Sequence, residues 1–304
     1  MNHRAAAAAG PAPSVLPGLL LACAGSIAFS GKAIIVKLAY RHGVDAVTLI
    51  MYRMLFALPL FVALAWWAGR DKPPLTRRDW AAAIGLGFCG YYLASFLDFA
   101  GLAYVSASLE RIVLYMNPTL VLLLGWMLFG RRVGVRQVVA LAVSYAGVLV
   151  VFGHELRVEG SNVALGAALV FGSALSYAVY LVYSGEVVKR LGSLRLTGLA
   201  TSVACLFCIA QFALLRPVSA AAAVAPEVIW LSMLNATACT FAPVLMVMMA
   251  IERIGSTAAA QTGMIGPLST ILMGVLILDE PFTPWIALGT VLVIAGVWLL
   301  TRWR

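Results

Sequence analysis

Five ionisable side chains, Lys32, Arg53, Asp98, Glu110 and Arg111, are written into stretches that are otherwise apolar. At the centre of a bilayer each would cost about 2.5–3.5 kcal/mol on insertion scales, so five uncompensated charges would be prohibitive. Two acids against three bases largely neutralise one another and leave a formal excess of one positive charge. Such a set suits a carboxylate or a zwitterion. Other uses of the same residues stand beside this one: Lys32 can snorkel to outer headgroups, and Arg53 and Arg111 can form structural ion pairs with Asp98 or Glu110.

Helical spacing adds neighbours to these charges. Tyr91, Ser95 and Asp98 fall at i, i+4 and i+7 on one face; Glu110, Leu114 and Asn117 share another, and Arg111, Tyr115 and Pro118 the next. Tyrosine offers an apolar ring with a hydroxyl tip, useful for holding an organic solute, although tyrosines near headgroups also serve as belt residues. At about 1.5 Å of rise per residue, the five charges lie roughly 6–11 Å outward of the midplane, in one layer.

The elements that must carry this layer are membrane spans. With 63% hydrophobic and 11% charged residues and a mean hydropathy of +0.99, the chain cannot hide its apolar side chains in one water-soluble core. The sequence predicts an all-α polytopic membrane protein with ten transmembrane helices, at 16–38, 46–69, 80–104, 106–129, 134–153, 161–185, 195–216, 226–251, 255–278 and 284–302. Basic residues cluster in alternate connections (Arg70, Lys72, Arg77 and Arg78; Arg131, Arg132 and Arg136; Lys189, Arg190 and Arg195). The positive-inside rule therefore puts both termini in the cytoplasm, with residues 1–15 as a cytoplasmic tail.

The second five spans repeat landmarks of the first at a spacing of 149 residues: Pro118 maps onto Pro267, Gly125 onto Gly274, and Ala146-Gly147-Val148 onto Ala295-Gly296-Val297. Five spans are an odd number, so the second copy enters the bilayer from the opposite side, giving two inverted five-helix repeats at 16–153 and 161–302. Pro118 and the Gly266-Pro267 pair are expected to break equivalent helices mid-span, and paired breaks point to a transporter's central cavity. The charged layer belongs to the first copy alone, because Asp98, Glu110 and Arg111 map onto Val247, Ala259 and Ala260. In the second copy Gln261, Thr262 and Ser269 are the polar positions near the break, as solute contacts or as interhelical glue.

Enzyme signals are sparse, and no catalytic residue is assigned. Gly31-Lys32 lacks the glycine and the strand that a phosphate loop needs, and His3, His42 and His154 are too dispersed for a metal site. No cofactor is implied. The net charge of +9 sits in short clusters between spans, which argues topology and no nucleic-acid partner. Cys23, Cys89, Cys205, Cys208 and Cys239 all fall in apolar segments and are read as small filler. Leu20 to Cys23 is similar to a signal-peptide or lipoprotein cleavage site, but cleavage there would remove half of the first helix.

The segment Tyr104-Val105-Ser106-Ala107-Ser108-Leu109-Glu110-Arg111, followed by Tyr115-Met116-Asn117-Pro118-Thr119, resembles the first repeat of EamA transporters of the drug/metabolite transporter superfamily. Gly255 to Ala259 leading to Pro267, then Asp279-Glu280-Pro281 and Gly289 to Gly296, is similar to the second. Arg131-Arg132 departs from the pattern where such repeats often carry an acid like Glu280. The resemblance implies an inner-membrane protein that exports or exchanges metabolites such as amino acids without ATP. Its partners would be the lipid bilayer, a small-molecule solute and, if Asp98 or Glu110 titrates, a coupling proton; oligomeric state is left open. Two other classes are weighed against it: an intramembrane enzyme acting on a lipid-linked substrate, which would need a metal or nucleophile beside Glu110, and a non-transporting scaffold or sensor, which predicts scattered polar residues.

Overall fold

A computed structural model describes residues 16–130, 134–159, 162–262 and 265–302, and the described residues are helical with no strand. In lipid every backbone polar group must be satisfied within its own segment, which is why an apolar chain of this composition resolves into helices. Eight stretches are long and apolar enough to cross a bilayer: Leu16–Tyr40, Ala46–Trp67, Arg77–Leu102, Ala107–Leu128, Val135–His154, Asn162–Gly185, Ser193–Leu215 and Pro226–Val247. Two shorter apolar stretches, Leu268–Leu278 and Pro284–Leu299, follow.

The first half comprises α1 (Leu16–Tyr40), α2 (Ala46–Trp67), α3 (Arg77–Gly87), a π turn at Phe88–Leu93, α4 (Ala94–Leu102), α5 (Ala107–Leu114), α6 (Asn117–Phe129) and α7 (Val135–Glu159). The second comprises α8 (Asn162–Leu191), α9 (Ser193–Leu215), the short α10 (Val218–Ala222), α11 (Pro226–Ala236), a π turn at Thr237–Phe241, α12 (Ala242–Thr262), α13 (Ile265–Leu278) and α14 (Pro284–Arg302). Local chemistry sets several ends. Asp45 accepts from the Val47 and Thr48 amides to cap α2, Thr76 and Asp79 form a reciprocal capping box on α3, and Ser106 accepts from the Leu109 amide at the start of α5. Gly130, at φ +60°, closes α6 in the left-handed conformation that a side chain would strain.

Packing is symmetric between the halves. α1 lies on α12 and α13 while α8 lies on α4 and α6; α2 pairs with α9 and α7 with α14. Exchanging the two halves maps this set of contacts onto itself. Apolar burial gives helices little reason to associate in lipid, so close approach of small residues matters more. At the α7–α14 seam a Cβ on Gly147 would lie 2.7 Å from the Gly289 carbonyl oxygen, and at the α4–α8 crossing Gly101 and Gly166 face each other's carbonyls. The outer surface carries exposed Leu, Met and Val, with Trp66, Trp67, Trp80, Trp230, Trp285 and Trp298 exposed near helix ends, as in an interfacial belt.

Two boundaries differ from the sequence expectation. Residues 252–254, read as a connection, are helical, and α12 continues to Thr262, because the segment after Arg253 is rich in alanine and carries no cap or stop signal. The next helix accordingly begins at Ile265 and not at 255. The other difference is the pair of π turns, which start at 88 and 237, equivalent positions at the repeat spacing. Cys23 lies inside the continuous helix α1, whereas the tail 1–15 and the Arg131-Arg132 turn lie outside the described residues.

Candidate functional site

The proline breaks are the first determinant of the site. Pro118 was expected mid-helix, but it falls in the first turn of α6, where the N–H it lacks would have no intrahelical partner. The carbonyl of Leu114, which an amide at position 118 would normally serve, instead accepts from Asn117 Nδ2 at 2.7 Å. Thr119 Oγ1 donates to the Met116 carbonyl at 2.6 Å, so two side chains stabilise the discontinuity between α5 and α6. Gly266 and Pro267 fall likewise in the first turn of α13. Ser30 of α1 ties that break to the bundle, its hydroxyl lying 2.7 Å from the Gly266 carbonyl.

The π turns are the second determinant. A wider turn displaces backbone carbonyls from their α-helical partners, and hydroxyls meet them here. Ser176 Oγ donates to the Cys89 carbonyl at 2.7 Å, and Thr240 Oγ1 to the Asn235 carbonyl at 2.8 Å. Tyr91 stands in the first π turn and Thr240 in the second, again at equivalent positions.

Between these features lies a cavity of about 560 Å³. Lys32, Arg53, Tyr91, Ser95, Asp98, Arg111, Tyr115, Asn117 and Gly266 all line it, as the sequence suggested. Glu110 does not line it: it is fully buried behind Lys32 and Arg111. The side chains of Gln261, Pro118 and Pro267 lie outside the described residues. Ser269 is turned to its own helix, donating to the Ile265 carbonyl. Sequence reasoning missed Thr240, Thr197 and Thr201, and the face of α8 carrying Ser173, Tyr177, Tyr180 and Ser184. For Thr240 a signal existed, because adding the repeat spacing to Tyr91 gives this position. Tyr91 and Tyr180 meet edge to face with hydroxyls 3.2 Å apart, and Tyr177 stacks on Tyr180.

Four of the five charges form one chain. Lys32 Nζ is 2.5 Å from Asp98 Oδ2 and 3.4 Å from Glu110 Oε1, and Arg111 Nε is 3.8 Å from Glu110 Oε2. Arg111 also reaches the Phe29 carbonyl on α1. Lys32 therefore does not snorkel; it bridges two carboxylates that are 2% and 0% exposed. Arg53 stands apart, because no carboxylate lies within ion-pairing distance among the described residues. Its Nε donates to Thr240 Oγ1 at 3.2 Å and its guanidinium covers the Phe99 ring at 5.1 Å.

The ionic chain is reinforced by contacts from the connections nearest it. Glu280, between α13 and α14, accepts from the Ala107 amide at 2.7 Å, from Ser108 Oγ at 2.9 Å and from the Ser108 amide at 3.3 Å. A second-half carboxylate thus caps the N-terminus of first-half α5. Arg41 donates to the Leu278 carbonyl at the end of α13, and the Tyr40 hydroxyl to the Phe99 carbonyl. From the ionic chain the cavity reaches Val188 and Ser193, at the α8–α9 junction.

Fold and cavity together define a class: a polytopic helical membrane protein with a polar chamber enclosed by helices from both halves. The profile of the EamA-like transporter family matches residues 16–153 and again residues 164–302, and the chain belongs to that family. Similar proteins include YcbK, an uncharacterised transporter of Bacillus subtilis, 31% identical over 279 residues covering 86% of each chain. An uncharacterised transporter of Archaeoglobus fulgidus is 26% identical over 90% of this chain and 93% of its own. A WAT1-related protein of Arabidopsis thaliana is 27% identical over 55% of each. A solved crystal structure superposes with a TM-score of 0.61 over 95% of this chain and 99% of that one, at 18% identity, a likeness of fold alone. The protein is a membrane transporter.

Proposed function

We propose that the chain is an ATP-independent secondary transporter that exports or exchanges small polar metabolites, such as amino acids, across the bacterial inner membrane by alternating access. Ten spans in two inverted repeats, with both termini cytoplasmic, complete the reading. The observation that carries it is the chamber itself: about 560 Å³ of polar-lined space inside a lipid-facing bundle, bounded by two discontinuous helices and a buried ionic chain. The α8–α9 junction carries Lys189, Arg190 and Arg195, so the positive-inside rule makes that end cytoplasmic and this state inward-facing. The Glu280 and Arg41 contacts then belong to the closed outer end, and rocking of one helix group against the other exchanges which end is closed.

Asp98 and Glu110 share Lys32, so a proton taken up by one frees the ammonium for the other. That arrangement suits coupling of solute movement to protons. Counterflow of labelled amino acids in proteoliposomes tests the function. Wild-type exchange should exceed that of empty vesicles and fall at least tenfold in Asp98→Asn and Arg111→Ala. Unchanged flux in both variants would remove the ionic chain from the mechanism.

A further inference from the structure

Arg53 is 6% exposed, and its Nη1 is buried without a hydrogen-bond partner. Thr240 commits its hydroxyl hydrogen to the Asn235 carbonyl and so presents a lone pair to Arg53 Nε, which fixes the guanidinium with one edge free. Both acids of the layer are already held by Lys32, and Glu110 by Arg111 as well. A permanently charged, desolvated guanidinium left unpaired is costly, and this one lines the cavity. Its natural complement is an anion that enters with the cargo.

Resting on the transporter reading, we propose that Arg53 is the anchor for a carboxylate on the transported solute, which therefore belongs to the monocarboxylates, free acids or zwitterions. Charge decides against a phosphate monoester. Lys32, Arg53 and Arg111 exceed Asp98 and Glu110 by one positive charge, which one carboxylate balances. A phosphate group carrying about −1.5 to −2 at neutral pH would overshoot it beside two carboxylates. The fork of the guanidinium also matches the two oxygens of a carboxylate, so lysine is not an equal substitute.

The test is equilibrium binding to the purified full chain in detergent, read by thermal shift. The probes are acid and amide pairs: L-leucine with L-leucinamide, L-phenylalanine with L-phenylalaninamide, and benzoate with benzamide. At least one acid should stabilise the protein, with an affinity at least tenfold above that of its amide. That preference should vanish in Arg53→Gln, persist weakened in Arg53→Lys, and weaken in Thr240→Val. Because the readout is a ratio between two ligands on the same variant, a general loss of stability does not mimic it. Equal binding of acids and amides, an undiminished preference in Arg53→Gln, or no acid binding at all would overturn the proposal. Acid-selective binding through Arg53 without counterflow would uphold the anchor and sink the transport reading. Counterflow of a neutral solute, unaffected by Arg53→Gln, would do the reverse.

Discussion

Replacing Glu280 with alanine removes a carboxylate that joins the two halves of the molecule. Its three donors, the Ala107 amide, the Ser108 amide and Ser108 Oγ, belong to residues 0% and 1% exposed, so water cannot readily replace the lost acceptor. Each orphaned buried donor costs about 1–3 kcal/mol. The 3.3 Å bond contributes least, and the sum is about 2–4 kcal/mol including the lost charge at a helix N-terminus. At about 1.4 kcal/mol per tenfold, the lower figure corresponds to a roughly 30-fold rise in local opening. Hydrogen–deuterium exchange of the segment from Val105 to Leu114 measures it directly. Glu280→Gln keeps one acceptor oxygen and should give about half the loss. Exchange in Glu280→Ala within threefold of wild type would refute the view that this carboxylate holds the halves together at that end.

Asp98→Asn should lower thermal stability by about 3–5 kcal/mol equivalent, as for a broken buried pair, and the double variant with Lys32→Met should recover part of that loss in thermal unfolding. Asn117→Ala leaves the Leu114 carbonyl without a donor opposite Pro118 and should destabilise by about 1–2 kcal/mol, measurable in the same assay. Partial burial alone would raise the Asp45 carboxyl, but hydrogen bonds from Thr48 and Arg216 outweigh it and hold the group below its usual value. A depressed folded value makes its contribution present above about pH 3.9 and lost as pH falls through the lower folded value. The acid limb of a stability–pH profile should therefore flatten in Asp45→Asn. Gly147→Leu places a side chain against the Gly289 backbone and should cost roughly 3 kcal/mol or more, seen as lost yield of folded protein.

The membrane class, the repeat and the paired breaks were legible because each rests on composition or on spacing, which survive without coordinates. The ionic chain was legible in membership, since charge in lipid demands a partner, but its wiring was not. Arg53, a candidate for pairing with Asp98 or Glu110, binds Thr240 instead, and Lys32 spans both acids. The second half's contribution was hardest to read. Tyr177, Tyr180, Thr197 and Thr201 sit in helices whose lipid-facing and inward-facing sides are equally apolar, so periodicity could not orient them. Hydroxyls in such helices also serve as ordinary interhelical glue, which hid Thr240. The π turns left no compositional mark, since a wider turn uses the same residue types as a regular one.

Those paired π turns govern what alterations of length the chain can absorb. A residue advances the helical phase by about 100°, so deleting one from Phe88–Leu93 would let a plain α-helix run through while swinging everything beyond it around the axis. Asp98 would leave Lys32 and face lipid or a neighbouring helix, although every residue downstream kept its identity. Deletion within Thr237–Phe241 would likewise unseat Thr240 from Arg53. The chamber is thus sensitive to the tally of residues along two of its walls as well as to their chemistry, and a conservative-looking deletion there would disarm the site more thoroughly than many substitutions inside it.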